Sequence, residues 1–115
     1  MRSTSRNTSS ATSIKWLRLR DIAESLVNNE FSVQIHASTL LDREIKAAVN
    51  VYDKSVDIAV NLAYAKTLKR VIDLLAHELA HVRLNTEDDN HPEFRKEFAY
   101  LQKEIALLYD AKGGA

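Results

Sequence analysis

Val71-Ile72-Asp73-Leu74-Leu75-Ala76-His77-Glu78-Leu79-Ala80-His81-Val82 is the stretch on which the fold turns. It reads as a helix carrying H-E-x-x-H. Two imidazoles four residues apart lie one turn above each other on a helix, so both can point at a single ion. The glutamate between them sits beside the same face, where it can act on a water held by that ion. At about 100° per residue, Leu68, Val71, Ile72, Leu75, Leu79 and Val82 form one apolar stripe, and His77 and His81 fall nearly opposite it. A helix apolar over most of its circumference is buried between layers, so a second element must face the histidines. The plain alternative is two core histidines satisfied by local hydrogen bonds. Burying His, Glu and His on one face without a metal leaves several polar groups in need of partners, which favours the metal.

The chain of 115 residues bounds what that helix can belong to. It is one domain, long enough to bury a core without disulfides. Hydrophobic content of 45% and charged content of 28% are those of an ordinary soluble globule. A formal charge of zero argues against bulk electrostatic binding to nucleic acid. There is no cysteine, so a transition-metal site must use His, Asp or Glu. No window approaches a membrane span and the N-terminus lacks the apolar stretch of a secretion signal, so the expectation is a cytoplasmic protein with no membrane partner.

Residues 1–13 are rich in Ser and Thr and read as a disordered tail. Through Arg20 the chain carries five basic residues (Arg2, Arg6, Lys15, Arg18, Arg20) and no acid. A solvated arm is the favoured reading, and a weak nucleic-acid contact the alternative. Residues 14–28 read as a helix capped by Ser13, with Trp16, Leu19, Ala23 and Leu26 facing the core. Residues 31–36 alternate apolar and polar, a half-buried strand with His36 outward, and 37–44 form a connection with a turn of helix. Ala47, Val49 and Val51 alternate again, as do Val56, Ile58, Val60 and Leu62. Tyr52-Asp53-Lys54-Ser55 joins these two runs as a hairpin. Beyond the central helix comes an acidic loop, 86–90. Then His91-Pro92-Glu93 opens a long helix with Phe94, Phe98, Leu101, Ile105 and Leu108 on one stripe. The prediction is α+β, one domain over residues 14–112. A small, mostly antiparallel three-stranded sheet packs on the central helix, flanked by an N-terminal helix and a long C-terminal one.

Catalytic zinc usually takes three protein ligands and keeps one position for water, so two histidines are not enough. His91 is the favoured third, because Pro92 fixes its backbone and imidazole suits zinc. Glu97 or Glu104 on the last helix would give a two-His-one-Glu site instead, and Glu87 or Asp88 in the loop are weaker options. The extended metzincin pattern does not fit, since Leu84 and Glu87 stand where it requires Gly and His.

The run His77-Glu78-Leu79-Ala80-His81, followed by Asn90-His91-Pro92-Glu93-Phe94 at the mouth of the next helix, resembles the SprT-like group of small zinc metallopeptidases. Val60-Asn61-Leu62 is similar to the strand end that leads into their active-site helix, and the likeness covers roughly residues 31–105. It implies a minimal zincin-like fold, zinc as cofactor, His77, His81 and His91 as its ligands, Glu78 as catalytic base and a protein or peptide as substrate. Some members act on DNA-associated proteins, but no separate DNA-binding module is present here. The expected activity is zinc-dependent peptide-bond hydrolysis. The competing expectation is a non-catalytic protein-binding module, zinc-stapled or metal-free. An extended substrate is expected to pair with a sheet edge at residues 55–60. Tyr52, Tyr64 and Tyr100 are equal candidates to stabilise an oxyanion.

Overall fold

The computed structural model describes residues 14–28, 30–38 and 46–113. The expected tail over 1–13, its Ser13 cap and most of the 37–44 connection lie outside the described residues. The elements run α1 (Trp16–Leu26), β1 (Ser32–Ser38), β2 (Ala47–Val51), β3 (Ser55–Asn61), α2 (Leu68–Leu84) and α3 (Phe94–Gly113). This is the α+β arrangement that the two periodicities predict. Among the described residues, no helix is long and apolar enough to cross a membrane.

The sheet is mixed rather than mostly antiparallel, with strand order β1-β3-β2. β2 and β3 form the expected hairpin, closed by Tyr52 N–H donating to Ser55 O at 2.8 Å. β1 lies on the other side of β3 and runs parallel to it, from Ser32 opposite Ser55 to Ser38 opposite Asn61. Alternation within a strand reports which face is buried and says nothing about its neighbour. A tight turn fixes direction only for the two strands it joins, and β1 is joined to β2 but paired with β3.

This order corrects the expected substrate edge. β3 is paired on both sides, so residues 55–60 offer no free edge. The outer edges belong to β1 and β2. In the hairpin, the bonds Tyr52 N–H to Ser55 O and Asn61 N–H to Lys46 O set the phase of the antiparallel ladder. Residues 46, 48, 50 and 52 therefore face β3, while Ala47, Val49 and Val51 turn their N–H and C=O groups outward. The β1 edge is partly closed, because Glu24 Oε2 on α1 accepts the Val33 N–H at 2.8 Å.

All three helices serve one core. Val33, Val56, Ile58 and Val60 are fully buried, whereas Gln34, His36 and Asn50 on the opposite face are exposed. Leu19 and Ile22 from α1, Val71, Leu75 and Leu79 from α2, and Leu101 and Ile105 from α3 complete the interior. Trp16 packs against this core from its margin.

Both ends of α2 are chemically marked. The Thr67 hydroxyl accepts the Arg70 N–H at 3.3 Å, and Asn85 ends the helix in the left-handed conformation, φ 52° and ψ 48°. Arg83 then ties the layers together. Its side chain donates to Leu26 O at 3.0 Å, pairs with Glu97 on α3, and lies over the Tyr100 ring. α3 starts at Phe94, two residues later than the proline predicts. Phe94 N–H donates to His91 O at 2.9 Å, so Pro92 occupies the second position of a tight turn, where its fixed φ is also suited.

Leu79 is fully buried, on the face of α2 that turns away from the histidines. Leu79→Ala is expected to cost about 2–5 kcal/mol, read as a lower denaturant midpoint at unchanged slope. A loss below about 1 kcal/mol, the range of a volume-conserving swap, would show that this face of α2 is not core.

Candidate metal centre

The helical repeat brings the two imidazoles together as the spacing requires. His77 Nε2 and His81 Nε2 are 3.2 Å apart, with ring centroids at 4.8 Å. His81 is oriented by its other nitrogen, Nδ1, which lies 2.8 Å from Thr86 O. A carbonyl can only accept, so Nδ1 carries a proton and Nε2 is the atom that can bind a metal. The left-handed Asn85 makes this possible by turning the chain back over the end of α2 immediately after Leu84.

The loop that follows is held by its own side chains. Asp88 N–H donates to Thr86 Oγ1 at 3.1 Å, Asn90 N–H to Asp88 Oδ1 at 2.9 Å, and His91 N–H to Asp88 O at 3.1 Å. The result puts Asp89 Oδ1 2.8 Å from His81 Nε2 and 3.6 Å from His77 Nε2. Among the described residues these are the three donors that gather, all within 4.8 Å of one another. Tetrahedral zinc with bonds of about 2.0–2.1 Å needs its donors roughly 3.3 Å apart. Separations of 3.2, 2.8 and 3.6 Å bracket that value, so the donor set fits the ion.

Asp89 is the residue sequence reasoning missed. The acidic run 87–89 marks the loop, and Glu87 and Asp88 are its neighbours, but only the loop conformation, set by the left-handed Asn85 and the bonds at Thr86 and Asp88, selects which carboxylate turns inward. Asp88 spends an oxygen on Asn90 N–H, and Glu97 is engaged by Arg83. Glu87 lines the adjoining groove, and Glu104 is not in the donor group. His91 is not brought into the group either. Its Nδ1 accepts the Glu93 N–H at 3.1 Å, capping the turn that leads into α3. A neutral imidazole that accepts at Nδ1 carries its proton on Nε2, so it cannot cap and also bind a metal through Nε2.

Glu78 is 7% exposed, and among the described residues no hydrogen bond or ion pair reaches its carboxylate. Burial pushes its pKa up to about 6; Asp89 adds to that and the charge of His81 opposes it. Burial also lowers the pKa of His77, against an opposing pull from Asp89 and with a smaller contribution from His81, which favours the neutral, metal-binding imidazole. Phe94 and Phe98 line the far side of the histidines with apolar surface.

A groove of about 840 Å³ opens beside Glu78 and His81, walled by Val49, Asn50 and Val51 of β2 and by Phe31 and Val82. None of the three tyrosine candidates lines it. Tyr64 is held by Arg70, Tyr100 lies under Arg83, and Tyr52 stands exposed at the hairpin tip. In the described part of the basic arm, Arg18 lies over the Tyr109 ring and Arg20 pairs with Asp21.

The chain matches no protein-family model, no curated protein and no solved structure.

Folding raises the Glu78 pKa from its ordinary 4.5 to about 6. The metal-free fold bears no cost below pH 4.5, where the carboxyl is protonated in both states, and loses stability as the pH rises through about 6. Glu78→Gln removes this dependence. In chelator-treated protein the variant is expected to exceed the parent by about 2 kcal/mol at neutral pH and to match it in acid. Denaturant unfolding at several pH values checks this, and parallel curves for the two proteins would refute it.

Proposed function

We propose that the chain is a zinc-dependent peptidase of the H-E-x-x-H type, with a minimal zincin-like, SprT-like fold. One observation carries the reading. Two imidazole nitrogens and a carboxylate oxygen converge at zinc-like spacings directly beside a buried glutamate that has no other described partner. A structural zinc staple, or a metal-free binding module, has no use for that glutamate, and leaving it buried carries a cost.

His77 and His81 hold the ion, with a third donor from the loop that follows. Asp89 is already in position. His91 is the imidazole alternative and reaches the ion only by giving up its bond to Glu93 N–H. Either set leaves a position open for chemistry. Zinc, when bound there, supplies a Lewis acid that polarises a carbonyl and makes a water more acidic.

The chain's own residues do the rest. Glu78, with a pKa of about 6, is mostly ionised at neutral pH and can take a proton from the attacking water. As the carbon–nitrogen bond breaks, the same carboxyl returns the proton to the leaving amine. The outward N–H and C=O groups of Val49 and Val51 lie on the wall of the groove, so an extended peptide can pair with β2 and run past Glu78 and His81. The substrate class is therefore an unfolded protein segment or a peptide.

Purified protein is expected to bind one equivalent of zinc. Glu78→Gln should keep that zinc and lose cleavage of an unfolded protein by about 100-fold or more; undiminished cleavage would overturn the base assignment. Asp89→Asn is expected to weaken zinc by more than about 100-fold, beyond the usual loss from an outer-shell partner. Equilibrium competition with a chromophoric chelator reads this directly. Retention of zinc by Asp89→Asn together with its loss in His91→Asn would move the third ligand to His91.

A further inference from the structure

We infer that Phe94 is a positioning residue for the metal centre, its ring holding His77 in the orientation at which the two Nε2 atoms converge. The inference rests on the zinc reading above and extends it to a side chain outside the H-E-x-x-H motif. It starts from an asymmetry between the two histidines. His81 is oriented by a hydrogen bond from Nδ1 to Thr86 O. Among the described residues, no hydrogen bond reaches Nδ1 of His77.

Aromatic rings touch His77 instead. Phe94 stands edge-on to it, with centroids 5.1 Å apart and planes at 69°, and Phe98 does the same at 6.0 Å and 81°. Phe94 also packs on His81, at 4.7 Å and 43°. It therefore spans both imidazoles, while Phe98 contacts only the outer one. These separations lie within the range in which aromatic pairs have a preferred geometry rather than mere proximity.

Phe94 can restrain the histidines because it is itself restrained. It is 6% exposed and is the first residue of α3. Its N–H is fixed to His91 O, and His91 Nδ1 caps the same turn at Glu93 N–H. The pair Arg83–Glu97 clamps α3 against α2 one turn further on. His91 thereby acts on the centre through the ring it delivers. Among the described residues, polar contacts hold His77 only through Nε2, the nitrogen that faces the ion. An imidazole with no orienting bond at its other nitrogen would otherwise sample several ring orientations, and metal affinity would fall by the fraction of time it points away.

The test compares Phe94→Leu with the parent and with Phe98→Leu. Zinc affinity is measured by chelator competition, and the melting of chelator-treated protein is measured separately. Phe94→Leu is expected to melt near the parent temperature yet bind zinc about 10- to 100-fold more weakly, with a smaller loss for Phe98→Leu. Parent-like zinc affinity in Phe94→Leu would overturn the inference. A second measurement needs no variant: long-range nitrogen–proton NMR of the metal-free parent should give one His77 ring state in contact with Phe94. A ring averaged over orientations, or without that contact, would equally overturn the inference. Failure of the parent to bind zinc would count against the zinc reading alone, because the NMR measurement still decides the role of Phe94.

Discussion

Lone pairs from two imidazoles and a carboxylate meet at the end of α2, and that convergence is the constraint the surrounding structure serves. The three groups are in mutual contact, the two Nε2 atoms at hydrogen-bond distance and Asp89 against both rings. One helix has to satisfy two incompatible demands. Val71, Leu75 and Leu79 are dry, while His77 and His81, on the other side of the same turns, join Asp89 in a group that could hold an ion. Glu78 lies at the border, buried with the core yet electrostatically coupled to His81 and Asp89. The apolar stripe holds the helix in place, and the polar cluster lies on its opposite, partly exposed side.

Elements outside α2 make the cluster converge. Asn85 reverses the chain, which lets Thr86 orient His81 and lets Asp89 swing back over the two rings. The turn at His91 and Pro92 delivers Phe94 against the histidines, while Arg83 keeps α1, α2 and α3 in register. The sheet contributes through β2. Its outward backbone groups wall the groove beside Glu78, whereas the outer edge of β1 is partly closed by Glu24. On the proposed reading, the donor cluster on one wall and the open backbone groups on the other suit an extended chain.

What the sequence discloses about this molecule divides by range. The two histidines are four residues apart on one helix, so their meeting is a local matter of helical repeat and can be read directly. The same holds for the hairpin at residues 52–55 and for the stripe of α1, which also includes Ile22. The parallel pairing of β1 with β3 is not local, because alternation of apolar residues is identical in either direction. Asp89 is hidden for a different reason: three adjacent acids look alike until one left-handed residue sets the phase of the loop. Glu97 looks like a candidate ligand until Arg83, a tertiary neighbour, is seen to hold it. His91 sits at the predicted place in the chain, and there its ring nitrogen caps a turn.

X-ray absorption at the zinc edge of the metal-loaded protein tests the central claim most directly, because it counts the atoms around the ion without reference to activity. The expected result is a four-coordinate shell of nitrogen and oxygen at about 2.0–2.1 Å with outer scattering from at least two imidazoles. A shell of oxygens alone, or with a single imidazole, would contradict it, since His77 and His81 would then not share the metal.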